Sequence, residues 1–145
     1  MPVTIVVVDD DMDYRLIVRA LLRPLPDVIV AGEAADGEEA RDLLRRTRPD
    51  VLITDLVMPR LNGMELTAWV RTELPDTRII LMSSFTEDAY RMMASDSGAD
   101  AFVNKRVIFD ALVPAIRDLI GRRLSGGSDP LPPTMGDSSA SAMLQ

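Results

Sequence analysis

The chain has 145 residues, 27% of them charged, with a formal net charge of −7 and neither cysteine nor histidine. Those counts exclude disulfides, thiolate or imidazole metal sites, Ser-His hydrolases and histidine acid–base chemistry. With no dense Lys/Arg run to meet a phosphate backbone, nucleic-acid binding by this chain alone is not expected.

The length suits one domain with a full core. Pro2 leads straight into the first β-branched run, Val3–Val8, without the basic, apolar, small-residue series of a secretion signal. That run and Ile79–Met82 are far too short to span a bilayer, so no membrane role and a cytoplasmic location are expected. A stripe at helical spacing follows, with Leu16, Val18, Leu21 and Leu22. Short strands are then predicted over Val28–Ala31 and Val51–Thr54. Gly63 opens a helix whose stripe is Leu66, Trp69, Val70 and Leu74, and Pro75 closes it. A fourth strand is predicted over Ile79–Ser83 and, past Gly98, a fifth over Ala101–Val103. A last stripe holds Leu112, Ile116, Leu119 and Ile120, and Pro114 either lies in the first turns of that helix or kinks it. The strands are apolar on both faces, as in a parallel sheet covered by helices on both sides. Five βα units predict an α/β domain with short crossovers. Residues 125–145 are rich in Ser, Gly and Pro and read as a flexible tail or linker.

In an open parallel sheet, chemistry gathers where strands end at their carboxyl edge. The first strand ends in Asp9-Asp10-Asp11, the third in Asp55 and the fourth in Ser83-Ser84, while Lys105 follows the fifth. Asp and Ser are also common there as helix caps, and that reading suits Asp11, just before a helix beginning near Met12. Three carboxylates in one crevice repel one another unless a cation neutralises them. Hard oxygen ligands around a small site suggest Mg²⁺, with a lysine and a hydroxyl opposite to hold phosphoryl oxygens.

Val7-Val8-Asp9-Asp10, Asp55-Leu56-Val57-Met58-Pro59 followed by Asn62-Gly63, Ser83, Gly98-Ala99-Asp100 and Lys105 together resemble the signature of response-regulator receiver domains. The stretches Ala31–Ala40 and Glu73–Arg78 look most like receivers of the NarL/LuxR type. The resemblance covers about Val3 to Leu124 and implies a doubly wound, flavodoxin-like (βα)5 fold with strand order 2-1-3-4-5. It implies a receiver over residues 1–124, acting as a switch rather than an enzyme. Asp55 would accept a phosphoryl group from a sensor histidine kinase, a histidine phosphotransfer protein or a small donor. Asp10 and Asp55 would bind Mg²⁺ directly, Asp9 through water and Val57 through its main-chain carbonyl. Lys105 would neutralise phosphoryl charge, Ser83 would move toward the phosphoryl group, and Phe102 would rotate inward behind it.

Four positions set this chain apart from the commonest receiver pattern. Arg106 follows Lys105 where many receivers have proline, Ser83 stands where threonine is more frequent, and Val57 and Phe85 flank the site. Val57 cannot orient a water and Phe85 can shield the phosphate, so slow phosphate loss is expected. Two alternatives stand beside the switch: a haloacid-dehalogenase-like phosphatase using Asp9-Asp10-Asp11 as its Asp-x-Asp, and a phosphate-independent binding module. A receiver without a following output domain would signal through a downstream protein partner, or else the chain is a fragment lacking that domain. The responsive surface would run from about Glu87 to Arg122, and phosphorylation could drive homodimerisation.

Overall fold

Val3–Val8 enters the structure as strand β1 with five of its six residues buried, and what surrounds it explains why. The structure is a computed structural model that describes residues 2–58, 62–84, 92 and 96–124. After β1 come α1 (Met12–Leu22), β2 (Val28–Ala34), α2 (Gly37–Thr47), β3 (Val51–Asp55) and α3 (Gly63–Glu73). Then follow β4 (Arg78–Ser83), β5 (Ala101–Asn104), a 3-10 turn (Lys105–Val107) and α4 (Ile108–Leu124). The five strands form one parallel sheet in the order β2-β1-β3-β4-β5. This is the expected flavodoxin-like order, with the reversal between β1 and β3 that makes a crevice at the carboxyl edge.

The two-residue period of a strand sends alternate side chains to opposite faces. Ile5, Val7, Ile53, Ile80, Met82 and Val103 face α1 and α4, whose Val18, Leu22, Leu112 and Ile116 complete one core cluster. Val6, Val8, Leu52, Ile79, Leu81 and Phe102 face α2 and α3 and meet Leu43, Leu44, Leu66 and Val70 in a second. Each fully buried Leu or Ile contributes about 1.5–3 kcal/mol, so the doubly apolar central strands dominate the stability.

Expected and observed boundaries differ mainly in β2. It runs to Ala34 rather than Ala31, because pairing with β1 carries Gly32 and Glu33 along despite their poor strand propensity. As an edge strand β2 is also not buried on both faces: Ile29 is 50% exposed. Its register with β1 shifts between Ile5 and Val6, the mark of a bulge. Pro114 lies beyond the first turn of α4, and the helix runs through it.

Polar contacts lock the far edge of the sheet. Asp50 accepts a hydrogen bond from the Thr4 N–H at 2.9 Å. Arg71 on α3 donates to the carbonyls of Gly98 (2.9 Å) and Thr77 (3.2 Å) and pairs with Asp100, whose carboxylate accepts the Ile79 N–H at 2.8 Å. With Arg78 also 3.6 Å away, Asp100 is held by three partners, and α3 is tied to the turns that precede β4 and β5.

Candidate functional site

Strand register brings the site together. Val8 pairs with Thr54, so the next residues, Asp9 and Asp55, stand side by side at the carboxyl edge. Asp55 pairs with Met82, Ser83 follows and pairs with Asn104, and Lys105 comes next. Asp9, Asp55 and Lys105 each continue the row of side chains that faces α1 and α4, in step with Val7, Ile53 and Val103. The Lys105 ammonium lies 2.7 Å from Asp9 Oδ2 and 3.3 Å from Asp55 Oδ1. All three residues are buried, Asp9 completely.

Local structure fixes each group. Asp9 Oδ1 accepts the Asp11 N–H at 2.9 Å, and the Asp9 main-chain carbonyl accepts from Arg15 at 2.5 Å. Arg15 is itself held by Glu33 of β2 at 3.0 Å, and Arg19 pairs with the same carboxylate. Asp11 caps α1, accepting from the Asp13 N–H at 2.9 Å, so the last acid of the Asp-x-Asp pattern serves a helix end. At the other rim Asn62 and Glu65 form a reciprocal capping box on α3. Gly63 opens that helix, and a Cβ there would lie 2.2 Å from the Asp55 carbonyl oxygen and 2.9 Å from Leu56 Cα. Both obstacles are backbone, so only glycine lets α3 begin this close to Asp55. Gly63→Ala is expected to displace the loop after β3 and destabilise the protein by about 1–3 kcal/mol, the usual cost of overpacking. Chemical denaturation checks this, and an unchanged midpoint would show that the loop relaxes freely.

Burial pushes the Asp9 carboxyl above its usual value, against the pull of Lys105. Burial and then the neighbouring charge of Asp9 push Asp55 up to about 6. Burial alone would depress Lys105, but Asp9 and Asp55 outweigh it and hold the ammonium above its ordinary value. The cluster is thus short of positive charge. Asp9, Asp10 and Asp55 each offer an oxygen, all within 4.8 Å of one another, in a group able to hold a small cation. Asp9 Oδ2 is fully buried and has the Lys105 ammonium 2.7 Å away as its counter-charge. Three carboxylates, all hard oxygen donors, beside a single ammonium fit a further cation such as Mg²⁺.

The fold brings Asp9, Asp10, Asp55 and Lys105 together at the carboxyl edge of the sheet. Ser83 is buried on the neighbouring strand end. Val57 lies in the loop after β3, 49% exposed. Phe102 is already inward, packed among the residues facing α2 and α3. Phe85 and the stretch from Glu87 through Arg91, part of the expected responsive surface, lie outside the described residues, as do residues 125–145. Two neighbours escaped the sequence reading: Arg15, and Tyr14, whose ring centroid lies 4.0 Å from Lys105 Nζ. Their place on the helix after Asp9 was readable, but nothing in sequence ties Arg15 to the Asp9 carbonyl or Tyr14 to a lysine some ninety residues away.

A doubly wound parallel sheet with an acidic pair, a third carboxylate and a lysine converging at its carboxyl edge defines the receiver class. The chain belongs to the response regulator receiver domain family, whose model matches residues 5–117. It is 31% identical over 117 residues to the response regulator protein VraR of Staphylococcus saprophyticus, covering 81% of this chain and 56% of that protein. Among solved structures it resembles the signal receiver domain of NarL from Mycobacterium tuberculosis, with 36% identity and a TM-score of 0.77, covering 83% and 98% of the two chains. A LuxR-family two-component response regulator from Aurantimonas is similar at 34% identity and a TM-score of 0.77, covering 83% and 87%. The chain spans about half the length of the curated relatives it matches. No described helix is long and apolar enough to cross a membrane.

Proposed function

We propose that this receiver works as a phosphorylation-operated switch with Asp55 as its acceptor. An Asp55 carboxylate oxygen forms a P–O bond as the P–N bond of a phosphohistidine breaks, on a sensor kinase or a phosphotransfer protein, and the released imidazole takes a proton from water. The observation that carries this reading is the Lys105 ammonium held between Asp9 and Asp55, a preset counter-charge for an incoming phosphoryl group. Asp10 and Asp55 directly, Asp9 through water and the Val57 carbonyl would hold Mg²⁺, which when bound neutralises phosphoryl charge. Ser83 donates its hydroxyl to the phosphoryl group, and the resulting movement alters the surface read by a downstream protein or output domain.

Incubation with Mg²⁺ and acetyl phosphate, followed by intact mass, tests this. The wild type gains one phosphoryl group; Asp55→Asn, or EDTA, abolishes the gain. If neither acetyl phosphate nor candidate kinases modify the wild type, the switch gives way to a phosphate-independent binding module. We also expect the phosphorylated form to decay slowly, because Val57 presents no group that orients water. Val57→Asn and Phe85→Ala should each speed the decay several-fold; unaltered decay in both would remove them as tuning residues.

A further inference from the structure

The roles above leave out Tyr14, although its ring lies against the ammonium on which they depend. Lys105 Nζ is 4.0 Å from the ring centroid, beside contacts of 2.7 Å to Asp9 and 3.3 Å to Asp55. Tyr14 sits in the first turn of α1, half-buried and packed against the cluster beneath that helix. This is the face of the sheet toward which the rows ending in Asp9, Asp55 and Lys105 point. Two carboxylates and one aromatic face therefore enclose the ammonium, whose side chain is 5% exposed.

The chemistry of that third neighbour matters. A π face attracts a cation through its quadrupole, without a lone pair that fixes a particular N–H. A water or a side-chain oxygen in the same place would accept a directional hydrogen bond, and that bond would have to break before the ammonium could turn. The ring also excludes water from one side of the lysine, which strengthens every charge interaction there. We propose that Tyr14 is a positioning residue for phosphoryl acceptance. Its ring holds Lys105 Nζ in the crevice while leaving the N–H bonds able to turn from Asp9 to a phosphoryl oxygen. This rests on the reading of Asp55 as acceptor and Lys105 as its counter-charge.

The full chain with Mg²⁺ and acetyl phosphate provides the test, with initial rates of phosphoryl gain followed by intact mass. Tyr14→Phe keeps the π face and should stay near the wild-type rate. Tyr14→Leu, and Tyr14 replaced by pentafluorophenylalanine, should each lose about thirtyfold, the rate equivalent of a largely desolvated cation–π contact. The fluorinated ring has nearly the shape of phenylalanine with its quadrupole reversed, so a purely packing role would not separate the two. They also decide the matter should the leucine variant fold poorly. In a Lys105→Ala background, Tyr14→Leu should cause no further loss. Equal rates for the two aromatic variants, or an undiminished loss in the Lys105→Ala background, would overturn the proposal while leaving Asp55 as acceptor. Absence of labelling in the wild type would overturn the reading of Asp55 and this one with it.

Discussion

Lys105→Ala is expected to cost the folded protein about 3 kcal/mol at pH 8 and almost nothing at pH 4, the figure for removing one partner of a buried pair. In the wild type one ammonium serves two buried carboxylates, and Asp9 has no solvent at all. Without it, burial pushes both carboxyls further up. A carboxyl raised in the folded state contributes stability that is fully present below its unfolded pKa of 3.8 and is lost as pH rises through the folded value. The penalty therefore grows from about pH 4 upward and levels off once both groups ionise. Urea unfolding at a series of pH values would show it, and a penalty independent of pH would mean that water reaches Asp9 when the lysine is gone. The same variant should accept phosphoryl from acetyl phosphate roughly a hundredfold more slowly, the scale for loss of one preorganised charge at a reacting centre.

Asp55→Asn should do the reverse to stability. In metal-free buffer at pH 8 the ionised Asp55, with a folded pKa of about 6 against 3.8 unfolded, costs the fold about 3 kcal/mol. Asparagine has no such cost at any pH. The variant should therefore gain up to about 3 kcal/mol at pH 8, near 10 °C in Tm for a domain of this size. The gain shrinks as pH falls through 6 and vanishes near 4, where the wild type is protonated. Added Mg²⁺ should stabilise the wild type and narrow the difference, since a ligand of the folded state raises its stability. Calorimetry across pH checks both statements; a variant less stable than the wild type at pH 8 would show that the Lys105–Asp55 attraction exceeds the desolvation cost.

Central strands announced themselves because Val3–Val8, apart from Thr4, and Ile79–Met82 are apolar throughout, as a sheet covered on both faces requires. The edge strand β2 did not, since Gly32 and Glu33 take part only through pairing with β1. Asp9, Asp55 and Lys105 could be grouped from sequence because each ends or directly follows a strand and parallel register aligns strand ends. Which partner the lysine chooses was not readable. Its reach back to Asp9, across two strands, follows from side-chain rows sharing a face, and no spacing in sequence encodes it. Tyr14 carries no signal in the sequence, and only the fold sets its ring against a charge. The same holds for Gly63: its place at a helix start was plain, but the 2.2 Å that a side chain would have to the Asp55 carbonyl is a property of three dimensions.

The exposed edge formed by β2 bears on how the protein behaves when crowded. Ile29 shows half its surface along a strand whose outer backbone groups meet no further strand among the described residues, which invites a second molecule to add one. The bulge opposite Ile5 and Val6 twists that border out of line, and Glu33, clamped by Arg15 and Arg19, sets a charged cluster near its end. Resistance to fibril-like stacking therefore depends in part on the same arginine that holds the Asp9 carbonyl, so weakening Arg15 loosens the acidic corner and unguards the edge together.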